Sequence, residues 1–189
     1  MENYKKNLEL LTKNYVYSKE MEHDACGVGL IASTEGKKSR AIVEYGIEAL
    51  KAVWHRGAVD ADGKTGDGAG IHVEIPKDFF IEKIQVTGHD YDHSEICVGM
   101  IFLPRNDYSA QENCKTIVES ELTKNNFSIY GWRQVPVNPK VLGEKALQTM
   151  PEIIQVLFKS NDQNLLDKNL ERKIYETRKR IENKAFNAS

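Results

Sequence analysis

A chain of 189 residues, 40% hydrophobic and 29% charged, has enough apolar material for a packed core and too much for a disordered polymer; its length fits one domain or a little more. Twenty-six basic against 28 acidic residues leave a net charge of −2, which argues against a dedicated nucleic-acid surface or a polybasic membrane patch. No apolar run reaches the roughly 18 residues of a membrane helix, and MENYKKNLELLTKN has no apolar segment like that of a secretory signal, so no membrane partner is expected and the cytoplasm is the default compartment.

Residues 1–25 are charged and weakly patterned, with Leu8, Leu10 and Leu11 able to anchor a short helix. Residues 26–33 read as a strand with a glycine-rich opening. Ser39 is placed to cap a helix running to about Trp54, in which Ile42, Gly46, Ala49, Leu50 and Val53 recur at helical spacing. HRGAVDADGKTGDGAG (55–70) is so rich in Gly and Asp that it must be a turn-dense loop. IHVEI (71–75) alternates apolar and polar residues, the period of a half-buried strand, and Pro76 ends it. A short helix over 76–83 and a polar loop lead to a buried strand at 95–103, then to a helix over about 109–125. FSIYGWRQVPV predicts a strand pair or one bent strand, EIIQVLFKS (152–160) a further strand, and 165–185 a charged terminal helix. The order is β-α-β-β-α-β-β-α, an α+β arrangement without the steady alternation of a parallel doubly wound sheet.

The three cysteines, an odd and widely spaced set, read as reduced thiols rather than a disulfide framework. Cys97, inside EICVGMIFL, reads as a buried small hydrophobe. Cys114 shares a helical stripe with Ala110, Ile117, Val118 and Leu122, so packing explains it too. Cys26 stands between a polar segment and GVGLIAS, where glycines at 27 and 29 remove bulk beside the sulfur and let backbone approach a substrate. It is the candidate nucleophile. A thiol needs a base or a lowered pKa to act near neutrality, and two routes are open. One is a histidine brought close by the fold, His23 or His55. The other is removal of residues 1–25, which makes Cys26 the N-terminus and puts an α-amine of pKa about 8 beside its own thiol.

Other patterns weigh less. GVGLIA formally fits a dinucleotide fingerprint, but the strand follows the glycines instead of preceding them. TGDGAG lacks the Gly-Lys-Ser/Thr of a phosphate loop. His89, His93 and Cys97 would line one face of a helix as metal ligands, yet Gly88, Asp90 and Asp92 favour a loop, so no metal site is assigned. In the terminal helix Arg172, Lys173, Arg178, Lys179 and Arg180 lie opposite Leu166, Leu170, Ile174 and Ile181, a solvated face over an apolar stripe.

DACGVGLIAS, HRGAVDADGKTGDGAGIHVEIPKDFF, VGMIFLP and GWRQVPVN together resemble the amino-terminal glutaminase region of glutamate synthase large subunits. That region is a class II glutamine amidotransferase of the N-terminal-nucleophile hydrolase superfamily, and the resemblance runs from about Met21 to the last residues. It implies a four-layer αββα sandwich, incomplete in this chain. It implies Cys26 as nucleophile, residues 1–25 as propeptide, and 26–189 as the first part of the glutaminase domain. Gly27, and Arg56 and Gly57 of the His55-Arg56-Gly57 motif, would support the substrate pocket. The implied reaction hydrolyses glutamine through a Cys26 thioester, the ammonia passing through a tunnel to downstream synthase domains that reductively aminate 2-oxoglutarate to glutamate. FMN, an iron-sulfur cluster and a small NAD(P)H-oxidising subunit are implied for the whole enzyme, and no cofactor for this segment. The family's carboxylate-binding arginine and oxyanion-hole Asn-Gly pair are expected beyond Ser189, so the isolated chain is expected not to turn over glutamine. The competing expectations are a non-catalytic domain with a structural or interaction role, and an amidotransferase serving another acceptor.

Overall fold

The computed structural model describes residues 2–14, 27–54, 57, 59–92, 95–162, 164–165 and 167–188. They fall into two compact units, one of residues 1–58 and 67–71, the other of 59–66 and 72–189.

The first unit holds α1 (Glu2–Asn14) and α2 (Arg40–Ala52). Ser39 caps α2 as its sequence position predicts: the hydroxyl oxygen accepts the Ala41 N–H at 3.2 Å, satisfying one of the free donors at the helix start. Ile42, Gly46, Ala49 and Leu50 are half-buried on one face of α2, and none is fully buried. A Cβ built on Gly46 would lie 3.1 Å from Ile71 Cδ1, so the glycine lets the 67–71 stretch approach the helix closely.

The second unit is built on a three-stranded antiparallel sheet in the order β1-β3-β2. Its strands are β1 (Cys97–Leu103), β2 (Phe127–Gln134) and β3 (Glu152–Ser160), and its helices are α3 (Lys77–Val86), α4 (Tyr108–Lys124), α5 (Glu144–Thr149) and α6 (Asp167–Ala188). β3 is central and carries five consecutive buried residues, Ile154–Phe158, because both of its faces are covered. The register runs from Cys97 opposite Phe158 to Leu103 opposite Glu152. α4 and α6 cover one face around Cys97, Val118, Leu122, Phe127, Val156 and Phe158. α3 covers one end of the other face through Phe80, Ile84, Ile96, Tyr130 and Leu157. Met100 and Phe102, which share that second face by strand alternation, stay 50% and 64% exposed.

FSIYGWRQ forms one bent strand, not a pair. Ile129 faces Phe158 and Gly131 faces Leu157, so Tyr130 is an extra residue and the strand bulges. Gly131 adopts φ +149, and a Cβ there would come 2.7 Å from Thr87 Cγ2. Glycine is required on both grounds.

α4 follows the predicted stripe, with Val118 and Leu122 buried and Cys114 and Ile117 half-buried. Its buried polar residues were not foreseen. Gln111 donates to the Pro104 carbonyl at 2.7 Å, and Glu121 accepts from Lys184 of α6 at 2.5 Å with Lys124 at 3.5 Å. The Lys184 hydrogen bond holds the Glu121 carboxyl below its usual range against the opposing effect of burial, and the same bond raises the Lys184 pKa. The lowered carboxyl contributes stability that is present at neutral pH and lost as pH falls through its folded pKa. The raised ammonium contributes stability that is lost only as pH rises through its own. Thermal melts across pH are therefore expected to show Glu121→Gln less stable than wild type at neutrality, with the gap closing on acidification. A gap independent of pH would count against this account.

Two strand expectations are corrected. Residues 27–33 and 71–75 form no strand; Val28 and Leu30 are 94% and 89% exposed, and Ile71 and Val73 are also exposed. Alternation specifies which face a strand would bury, but a strand exists only when its backbone groups find a partner, and no described segment pairs with either stretch. The described elements therefore run α-α-α-β-α-β-α-β-α, not β-α-β-β-α-β-β-α. The α+β class holds. In α6, Leu170 is buried, Ile174 and Ile181 pack half-buried against the core that includes Val118 and Leu122 of α4, and the outer face is laced by Arg172–Glu176 and Arg178–Glu182 pairs. The position of Leu166 lies outside the described residues.

Candidate functional site

Of the residues singled out for chemistry, Cys26, Arg56, His23 and His55 lie outside the described residues, as does His93. Gly27 and Gly57 are described, and both belong to the first unit. Gly27 opens an exposed stretch in which a Cβ on Gly29 would meet nothing within 4 Å. That stretch closes in a turn where the Gly36 N–H donates to the Ser33 carbonyl at 3.2 Å, Gly36 taking φ +66. Beyond α2, Trp54 is exposed and its carbonyl accepts the Gly57 N–H at 3.1 Å; a Cβ on Gly57 would sit 3.4 Å from that oxygen. That hydrogen bond ties Gly57 back to Trp54, two residues past the end of α2.

The turn-dense loop is ordered by its own carboxylates. Val59 and Gly66 form an antiparallel bridge, the Asp60 N–H donates to the Thr65 carbonyl at 2.7 Å, and Gly63 turns the chain at φ +68. Asp62 Oδ1 accepts the backbone N–H groups of Lys64 at 2.9 Å and Thr65 at 2.7 Å, while Oδ2 accepts the Thr65 hydroxyl at 2.5 Å. The Thr65 hydroxyl, the Lys64 and Thr65 amides and that of Glu144 together bring the Asp62 carboxyl down to about 2, so it is ionised throughout the neutral range. Asp60 in turn pairs with Lys145 at 2.5 Å. The contacts to Glu144 and Lys145 were not legible in the sequence, because those partners lie some eighty positions away on α5.

The remaining cysteines behave as packing residues. Cys97 is buried, and burial first, with the charges of Glu95 and Glu171 adding, pushes its thiol up to about 12. The helical face imagined for His89, His93 and Cys97 does not form, since 89–92 is loop and Cys97 opens β1. No group of three His, Cys, Asp or Glu side chains among the described residues is placed to hold a metal ion. None of the described helices is long and apolar enough to cross a membrane. A cleft of about 610 Å³ in the second unit is lined by Arg105, Tyr108, Lys115, Trp132 and Glu152 among others, and by neither of the described candidates, Gly27 and Gly57.

Residues 26–189 match the family described as "Glutamine amidotransferases class-II". The chain is 52% identical over 179 residues to the "Glutamate synthase [NADPH] large chain" of Azospirillum brasilense, covering 95% of this chain and 12% of that one. It is 38% identical to the "Ferredoxin-dependent glutamate synthase" of Pyropia yezoensis, over 92% of this chain and 11% of the relative. With the chloroplastic/mitochondrial "Ferredoxin-dependent glutamate synthase 1" of Arabidopsis thaliana it shares 40% identity over 85% of this chain and 10% of the relative. The chain thus spans about an eighth or less of the length of these relatives.

Proposed function

Because the chain belongs to the class II glutamine amidotransferases, we propose that it is the glutamine-hydrolysing part of a glutamate synthase, with Cys26 as nucleophile. The observation that carries this reading is a family match that begins at Cys26 and continues to residue 189. Residues 1–25 act as a propeptide, and 26–189 form the first part of the glutaminase domain. The assembled domain is a four-layer αββα sandwich, a reading supported by a sheet with helices on one face and exposed Met100 and Phe102 on the other.

In the proposed reaction the α-amine of mature Cys26 takes the thiol proton, and the thiolate sulfur bonds to the side-chain amide carbon of glutamine. The tetrahedral oxyanion then collapses, the C–N bond breaks, and the α-ammonium gives its proton to the departing nitrogen, which leaves as ammonia. Water, deprotonated by the same amine, attacks the thioester and releases glutamate with the free thiol. Gly27, Arg56 and Gly57 shape the pocket. The ammonia is delivered through a tunnel to synthase domains that convert 2-oxoglutarate to glutamate; relatives named glutamate synthases support this acceptor over another. The setting is cytoplasmic.

FMN and an iron-sulfur cluster belong to those other domains; a small NAD(P)H-oxidising subunit is one source of reducing equivalents and ferredoxin another, since relatives are named for each. The residues of this segment do not fit a cluster. A typical cluster takes about four thiolates, whereas this chain has three cysteines, one of them the buried Cys97. No step assigned to this segment runs through either group.

The test is covalent labelling of the full-length protein with a diazoketone analogue of glutamine, followed by mapping of adducts and of the N-terminus. One adduct is expected, on Cys26, in molecules that begin at Cys26. Cys97 should stay unmodified at neutral pH, since burial and a thiol near 12 leave almost no thiolate. Equal labelling of all three thiols, or none, would favour a non-catalytic domain.

A further inference from the structure

We propose that the cleft beside the first two turns of α4 is a binding site for an acidic α-amino acid: Arg105 and Lys115 take its two carboxylates and Glu152 its ammonium. This goes beyond the reading of the chain as a glutamine-hydrolysing segment and does not depend on Cys26. The cleft, of about 610 Å³, lies wholly within the second unit. Its lining comes from α4, the three strands and the turn between β1 and α4. That volume falls within the roughly 300–1,000 Å³ of small-molecule sites.

Two opposite charges share the cleft without pairing. Among the described residues Arg105 meets no carboxylate; its guanidinium contacts the Met150 sulfur at 3.9 Å, which draws it toward the start of β3. Glu152, half-buried at that start, has no described cation as partner, and its Oε1 accepts from Gln134 Nε2 at 2.5 Å. A simple anion is repelled by Glu152 and a simple cation by Arg105, so a zwitterion is the ligand that satisfies both. Lys115 adds a second cation on the α4 wall. Its Nζ holds Glu112 at 2.7 Å, but that carboxylate is 72% exposed, whereas the Lys115 side chain is 30% exposed. Exchanging so exposed a partner for a ligand carboxylate costs little. The three charges sum to one positive, the complement of an amino acid with an acidic side chain. Arg133 also borders the cleft, but its guanidinium donates to Gln155 at 2.7 Å and lies over the Phe79 ring.

The walls are held in place before any ligand arrives. Gln111, 8% exposed, donates Nε2 to the Pro104 carbonyl at 2.7 Å and to that of Arg105 at 3.2 Å, which fixes the turn carrying the guanidinium. Its amide oxygen is uncommitted among the described contacts and is a second acceptor for the ammonium. The Trp132 N–H donates to Glu119 at 2.7 Å, and the indole with buried Leu103 and Ile154 makes the apolar side of the cleft. Polar groups ordered in advance in this way lose less freedom on binding than mobile ones.

The experiment is equilibrium dialysis of radiolabelled L-glutamate against the full-length enzyme after treatment with the diazoketone analogue, which blocks the glutamine site. Wild type is compared with Arg105→Ala, Glu152→Gln and, as a control on the outer face of α6, Glu176→Gln. Wild type and Glu176→Gln are expected to bind one equivalent that Arg105→Ala and Glu152→Gln hold at least about tenfold more weakly. Glutarate, which keeps both carboxylates and lacks the ammonium, is expected to displace that equivalent at least about tenfold less well than unlabelled glutamate. Binding that is the same in wild type and both cleft variants overturns the proposal, as does the absence of saturable binding below about 10 mM. Glutarate competing as well as glutamate overturns the assignment of Glu152 to an ammonium. Thermal midpoints report folding, and should Arg105→Ala not fold, Arg105→Gln takes its place under the same criteria. If the analogue leaves Cys26 unlabelled, the functional reading fails, while the difference between wild type and the cleft variants still decides this site.

Discussion

Cys26→Ala is expected to lower glutamine hydrolysis by the full-length enzyme at least about a thousandfold, since removal of a covalent nucleophile leaves only the binding and polarising groups of the site. The ammonium-driven rate should remain within about twofold, because that route needs neither the thiol nor its α-amine. Cys114→Ser, on a half-buried face of α4, is the matched control and should leave both rates near wild type. The pairing matters because the chain has three thiols, and only a site-specific loss separates a nucleophile from general thiol damage. Cys97 is the wrong residue for that control, since its buried thiol packs in the sheet core and a hydroxyl there would need a hydrogen-bond partner. Equal loss in Cys26→Ala and Cys114→Ser would remove Cys26 from the mechanism.

Periodicity located most of the second unit. α4 and α6 announce themselves by apolar residues every three or four positions, and EIIQVLFKS by a continuous apolar run that suits a strand covered on both faces. The failures have one cause. GVGLIAS and IHVEI have strand-like composition, but pairing is a non-local property, and local pattern cannot tell a strand from an apolar segment that finds no partner among the described residues. The bulge at Tyr130 was half-visible: Gly131 in FSIYGWRQ signals a break in regular pairing, yet its positive φ and the packing of Thr87, which explain why glycine stands there, are seen only in the fold.

The site divides the same way. The position of Cys26 between a polar segment and two glycines, and the family resemblance for Gly27, Arg56 and Gly57, singled out these candidates, of which Gly27 and Gly57 lie among the described residues. Asp62 was invisible as more than a loop acid. Its contacts close against Gly143 and the start of α5, and nothing in LGEKALQT marks that glycine as lying beneath a loop some eighty residues earlier. Residues that act by holding a loop are found by contact, whereas residues that do chemistry can be found by type.

Leu157→Ala is expected to destabilise the protein by about 2–5 kcal/mol, toward the upper part of that range, with a thermal midpoint lower by roughly 10 °C. Leu157 has no exposed surface and lies in the central strand, between Val98 of β1 and Gly131 of β2. Its side chain belongs to the buried cluster that also holds Phe80 and Ile84 of α3, Ile96 and Tyr130. Collapse into the space left behind is hindered on every side. The β2 neighbour is a glycine with no side chain to lean in, Tyr130 is held by its hydroxyl to Asp92 at 2.8 Å, and the strand is pinned by ladders on both edges. The cavity therefore persists and its cost adds to the lost transfer energy. Met100→Ala gives the contrast: the same sheet face, but a side chain already half in water, for which a loss below about 1 kcal/mol is expected. Equal losses at the two positions would mean that strand propensity, not burial under α3, holds this face together.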